Sequence, residues 1–196
     1  MGAPVRKERR ANTDLRKTNA MSGDPRLEEL LAKQAIADVL QRYSRTLDWL
    51  DDAGQATCFW PEADIDYGFF KGPASEFLPV VMEIERASQR RWHMLSAPSI
   101  RFEEPALAQV ECYGMATGIR QQDDGTWSGN LYGGRYLDLF EQRRVDDAQE
   151  WRIARRRYVM DWRVPLEDQP GAEPNPDFPL PILEIIASGH PNYREM

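Results

Sequence analysis

Histidine and cysteine are the scarcest reactive residues of this 196-residue chain, with two of each: His93, His190, Cys58 and Cys112. Dispersed donors of this kind form neither a metal-ligand set nor a disulfide scaffold, so no metal is expected and the thiols are expected to be reduced, buried and cytoplasmic. No apolar run approaches the roughly 18 residues of a membrane span. No apolar segment follows the basic N-terminal stretch, so a secretory signal is not expected either. The chain also lacks a GxGxxG fingerprint, a P-loop, a GxSxG elbow and an HExxH pair. Basic residues are in deficit, 25 Lys and Arg against 32 Asp and Glu for a net charge of -7, which excludes general nucleic-acid binding.

What is present is the composition of an ordinary globular domain, 41% hydrophobic and 10% aromatic. A chain this long buries roughly 70% of its unfolded surface, enough for one domain with a true core and an internal pocket. Residues 1–23 carry no aromatic side chain and no apolar period and read as a disordered basic tail; six bases against two acids give positions 1–20 a net +4. Met21 reads as a candidate start of translation. Order is predicted from Asp24-Pro25, a cap residue followed by a proline at the first helical position. Leu27, Leu30, Leu31, Ile36, Val39, Leu40, Tyr43 and Leu47 then recur at helical spacing.

A short second helix is predicted over 51–60, a hairpin over 63–70 closed by Lys71-Gly72-Pro73, and a third helix over 74–90 with Phe77, Val80, Val81 and Ile84 inward. From Trp92 the period becomes two, with strands at 92–103, 106–121, 126–142 and 150–163. Helices first and long antiparallel strands later predict an α+β fold, helices packed on a strongly curved sheet that encloses a cavity. Gly114, Gly118, Gly129, Gly133 and Gly134 mark expected bulges or sharp curvature. Segment 167–196, rich in proline, reads as an extended arm with one apolar piece, Leu180–Ala187.

Few residues suit chemistry. His190 sits in Gly-His-Pro and reads as an exposed bystander. His93 lies in Trp92-His93-Met94-Leu95, where apolar neighbours imply a buried ring: either a satisfied core histidine or a group on a pocket wall. Asp48 closes the long helix between Leu47 and Trp49. If it meets His93, the pair is a general-base dyad in which the carboxylate fixes the imidazole tautomer. Tyr43 precedes Asp48 by five residues, about 140° around an ideal helix, which counts against joint action. Arg156 shares a strand face with Ala154, Tyr158, Met160 and Trp162, so it is either ion-paired or waiting for a ligand oxygen. Trp49, Trp92, Tyr158, Met160 and Trp162 are the candidate walls of a hydrophobic substrate pocket.

Over residues 26–166 the chain resembles the SnoaL-like branch of the nuclear-transport-factor-2-like superfamily. The carriers are Ile36–Tyr43, Leu47-Asp48, Tyr67 to Gly72-Pro73, His93 with Ile100–Phe102, Gly134–Tyr136 and Trp151–Arg156. The resemblance implies a cone-shaped α+β barrel spanning 24–166 and a cofactor-free lyase. It is similar to bile acid 7α-dehydratases, hexachlorocyclohexane dehydrochlorinases and, more distantly, scytalone dehydratases. Their catalytic aspartate, histidine and last-strand arginine fall on Asp48, His93 and Arg156, and Tyr43 matches the tyrosine of the bile acid enzymes. That tyrosine, a lysine in the dehydrochlorinases, favours loss of a hydroxyl over loss of chloride. The further acidic residue of the bile acid enzymes has no match in Tyr113–Gly118. The implied substrate is a hydrophobic cyclic, steroid- or polyketide-like molecule, and the implied assembly a homo-oligomer, a trimer before a dimer. An isomerase or hydratase, the small non-catalytic subunit of a ring-hydroxylating dioxygenase, and a ligand-binding protein share the fold and are the alternatives.

Overall fold

The computed structural model describes residues 23–167, Asp177, residues 189–194 and Met196. Nearly all of the expected tail, most of the expected arm and the apolar piece 180–187 lie outside the described residues. The chain opens with α1 (Pro25–Asp48), whose N-terminus is closed by Asp24 accepting the Arg26 backbone N–H at 3.0 Å. Next come α2 (Asp52–Ala56), β1 (Phe59–Asp66), β2 (Lys71–Pro73) and α3 (Ala74–Arg86). The remaining elements are strands: β3 (Arg90–Leu95), β4 (Ser99–Glu104), β5 (Leu107–Gln121), β6 (Trp127–Val145) and β7 (Ala148–Glu167).

The seven strands form one sheet in the order β2-β1-β7-β6-β5-β3, with β4 also paired to β5. Every pairing is antiparallel except β1 with β7, which is parallel. Ile36, Leu40 and Leu47 of α1 and Phe77 of α3 close over Phe59, Ile65, Phe140 and Ile153, forming the core between helices and sheet. The class is the expected α+β, a curved sheet with its helices at the N-terminal end of the chain.

Several boundaries differ from the periodicity. The strand expected over 92–103 divides into β3 and β4, because Pro98, which has no N–H for the ladder, falls in the gap. Helix α2 is one turn long; Phe59 and Trp60 open β1 instead, where both are buried. Helix α3 stops at Arg86, and it buries Phe77, Val81 and Met82 while Val80 and Ile84 stay exposed. Leu30 and Leu31 are also exposed, because the first turns of α1 do not face the core the way Ile36 to Leu47 do.

The β5–β6–β7 register stacks the inward residues in rungs. His93 pairs Ala116, which pairs Tyr132; Leu95 pairs Gly114, which pairs Gly134; Cys112 pairs Tyr136, which pairs Tyr158; Val110 pairs Asp138, which pairs Arg156. Two of the glycines make room for rings. A Cβ on Gly114 would stand 2.6 Å from Tyr136 Cε2, and one on Gly134 2.6 Å from the Tyr158 hydroxyl. The inner face of β6 and β7 is therefore packed with aromatic side chains.

Gly129 has a stricter reason. A Cβ there would collide with the Gly118 carbonyl oxygen, a backbone atom of the paired strand that no rotamer change can move. Gly129→Ala is expected to cost about 1–3 kcal/mol, read as a lower urea midpoint with an unchanged slope.

Candidate active site

Strand alternation sends Arg91, His93 and Leu95 toward the helices, while Trp92 and Met94 point outward and are about half exposed. Helix α1 delivers the partner. It ends at Asp48 and the chain turns sharply through Leu50, at the left-handed φ of 51°, into α2. The Asp48 carboxylate grips His93 twice: Oδ2 accepts the backbone N–H at 3.2 Å, and Oδ1 lies 2.8 Å from Nδ1. An ionised carboxylate only accepts, so Nδ1 carries the hydrogen, and in the neutral ring Nε2 holds the free lone pair.

The last turn of α3 adds Glu85, with Oε1 3.6 Å from Nε2. Arg91 ties the two helix ends together, donating to the Glu85 carbonyl at 2.9 Å and the Asp48 carbonyl at 3.4 Å, where a cation meets the negative ends of both helix dipoles. The side chains of His93, Glu85 and Asp48 are 8%, 12% and 16% exposed, so the trio is nearly dry but still reachable. Burial opposes a charge on His93. The hydrogen bond to Asp48 and the nearby Glu85 carboxylate outweigh it, holding the imidazole above its ordinary 6.5 against the smaller opposition of Arg91. Burial also lifts the Glu85 carboxyl above its usual range, with His93 and Arg91 opposing.

Arg156 and Tyr43 belong to a second cluster. Arg156 is fully buried and forked onto Asp138, Nε to Oδ1 at 2.8 Å and Nη2 to Oδ2 at 2.6 Å. Its guanidinium carbon lies 4.2 Å from the Tyr43 ring centre and 4.4 Å from that of Tyr136. Tyr43 is buried, with its hydroxyl 2.7 Å from that of Tyr67. Desolvation works against the Arg156 charge, and Asp138 more than offsets it, so the guanidinium stays protonated. Burial among the other tyrosines raises the Tyr43 hydroxyl well above its ordinary value. His93 and Asp48 thus meet, the condition on which the dyad depended, whereas Tyr43 and Arg156 are held by other partners. On β5 the rung of Arg156 lies six residues from that of His93, about 20 Å of strand.

The candidate walls divide likewise. Tyr158 stacks on Tyr67 inside, with ring centres 5.4 Å apart. Trp92 faces outward with the alternation of β3. Trp162 covers Gly133 on the outer face because the register shifts at Gly133/Gly134. There it lines a cleft of about 260 Å³ with Met94, Tyr113 and Met115. Met160 is 54% exposed. Trp49 packs against Tyr193 and His190, with centres at 5.6 and 6.1 Å, and the Tyr193 hydroxyl donates to Asp51 at 2.7 Å, so the end of the chain lies on the α1–α2 turn. Four clefts stand out among the described residues, and neither His93 nor Asp48 lines any of them.

Two functional candidates escaped the sequence reading. Glu85 follows Phe77 and Val81 at four-residue intervals, a carboxylate in line with the buried face of α3. Asp138 alternates between Tyr136 and Phe140, an acid on an otherwise apolar inward face. Both spacings were available as signals. Among the described residues no group of three or more His, Cys, Asp and Glu is arranged to hold a metal ion.

A family model, the SnoaL-like domain, matches residues 28–157. The chain belongs to the SnoaL-like family. No curated protein matches it. Solved structures share the nuclear-transport-factor-2-like cone at low identity. A protein provisionally named scytalone dehydratase, from Novosphingobium aromaticivorans, is 17% identical with a TM-score of 0.61, over 84% of this chain and 98% of that one. A hexachlorocyclohexane dehydrochlorinase of type 2 is 16% identical with a TM-score of 0.65, over 76% and 98%. A nuclear transport factor 2-like superfamily protein from Salmonella enterica is 19% identical with a TM-score of 0.57, over 74% and 99%. Likeness at this level shows the fold. No helix among the described residues is long and apolar enough to cross a membrane.

Asp138→Asn leaves Arg156 buried without its counter-charge and is expected to cost about 3–5 kcal/mol in chemical denaturation. Asp48→Asn removes the carboxylate that favours the imidazolium. The His93 midpoint, followed by NMR of the ring, is expected to fall.

Proposed function

We propose that this SnoaL-like protein is a cofactor-independent lyase that removes water from a hydrophobic cyclic small molecule. His93 is the general base. Asp48 holds its Nδ1–H and stabilises the imidazolium formed when Nε2 takes a proton from carbon beside an electron-withdrawing group. One observation carries the reading: the 2.8 Å contact between Nδ1 and Oδ1, reinforced by the second carboxylate oxygen on the same residue's backbone. The dehydratase and dehydrochlorinase among the structural neighbours support an elimination, and Tyr43 in place of a lysine supports hydroxide as the group lost.

In this reading Tyr43 and Arg156, the latter neutralised by Asp138, position the aromatic side chains above them and do not meet the reacting atoms. Tyr158 and the inward rings around it supply the hydrophobic surface, and Trp49 sits at the edge next to Asp48. A homotrimer fits the outer sheet face, where Trp92, Met94, Tyr113, Val159 and Trp162 are unusually exposed. Buried, reduced Cys58 and Cys112 fit a cytoplasmic setting.

His93→Ala is expected to lower elimination from a responsive β-hydroxy ketone by about 10²–10⁴-fold, with an unchanged circular dichroism spectrum. Unaltered turnover would refute the assignment. Because the neutral ring is the base and its midpoint is raised, kcat/KM should climb as pH rises through a value above about 6.5. A profile already flat at lower pH contradicts this. Co-purification with a larger iron-containing chain would instead favour the subunit role.

A further inference from the structure

His93 stands between two carboxylates that hang from different helices, Asp48 on the Nδ1 side and Glu85 toward Nε2. Like charges on either side of one ring repel, and each sits at a helix C-terminus, where the dipole is already negative. Some further group must hold them there. We propose that Arg91 is the positioning residue of this site: by gripping the ends of α1 and α3 it keeps Asp48 and Glu85 on opposite sides of the imidazole. The inference rests on the proposed elimination only for its consequence in rate.

The geometry is that of a clamp. Arg91 lies two residues before His93 on the same face of β3 and is only 6% exposed. Its Nε donates to the Glu85 carbonyl at 2.9 Å, an oxygen that the Ser88 N–H also reaches at 3.1 Å, and its Nη1 donates to the Asp48 carbonyl at 3.4 Å. Carbonyls at a helix end are short of intrahelical donors, so both can accept from outside. The two N–H groups are arms of one rigid plane, and one guanidinium therefore sets the spacing of both helix ends from β3. The residues it fixes through their backbones are the two whose carboxylates flank the ring.

The charges around His93 are Asp48 from α1, Glu85 from α3 and Arg91 from its own strand. On the β5–β6 side its rung continues through Ala116 to Tyr132, neither of them charged at neutral pH. Two cations and two anions cancel once the ring is protonated. Arg91 thus pulls on the His93 midpoint in two directions. Its charge opposes the imidazolium, while its grip favours the imidazolium by keeping both carboxylates close.

The test follows the His93 midpoint and the Nδ1–H signal by NMR in the full chain, in Arg91→Lys and in Arg91→Met. Lysine keeps the charge and loses the two-armed grip. The Arg91→Lys midpoint is therefore expected to fall by about 0.5–1 unit, with the Nδ1–H signal broadened by exchange with water. Methionine also removes the opposing cation, so its midpoint is expected above that of Arg91→Lys. A purely electrostatic role gives an unmoved midpoint in Arg91→Lys and a raised one in Arg91→Met. A purely structural role lowers stability in both and leaves the midpoint and the signal as in the wild type. Either pattern overturns the proposal. Should neither variant fold, the unmodified protein decides: an Arg91 Nε–H protected from solvent exchange supports the grip, and one that exchanges freely overturns it. With β-hydroxycyclohexanone as probe, kcat of Arg91→Lys is expected to fall about 10-fold or more. Wild-type protein without turnover of this ketone counts against the elimination alone, because the NMR readouts do not involve turnover.

Discussion

The Asp48 carboxylate joins the last turn of the first helix to the third strand, spending one oxygen on the strand backbone and the other on the imidazole. A residue at a helix C-terminus is a poor place for an anion, because the dipole there is already negative. Arg91 relieves the conflict by donating to the carbonyls of both helix ends. This junction aligns the ring, sets its tautomer and brings Glu85 to its other nitrogen.

The second buried charge centre has a different character. Arg156 and Asp138 satisfy each other with two short hydrogen bonds and are covered by the rings of Tyr43 and Tyr136. A pair closed in this way contributes position more than reactivity. Loss of either member strands a charge, while both together fix the register of β6 and β7 beneath the aromatic cluster. One cone therefore carries two ionic centres at different depths, one sealed and one reachable.

Much of this is legible in the sequence. The Asp24-Pro25 start, the helix to Asp48, the long late strands and the pairing of Asp48 with His93 follow from capping chemistry, periodicity and the family resemblance. Arg156 was legible only as a choice between an ion pair and a waiting cation. Its partner Asp138 lies eighteen residues away on the neighbouring strand, and strand register, which a sequence does not print, decides that meeting. The same holds for Trp162, whose face was reversed by one register shift at Gly133/Gly134.

Local patterns alone thus determined the elements and the class of fold, because capping and alternation act between near neighbours in the chain; the Asp48–His93 pair was conditional there and was favoured only by the family resemblance. The tertiary structure decided which charges meet and which faces stay exposed. Glu85 is the clearest case: in the chain it is one more acid on an acidic protein, eight residues before His93. Only the packing of α3 against β3 turns it into the carboxyl opposite Nε2, since a 3.6 Å contact depends on how two elements cross and not on the order in which they are written.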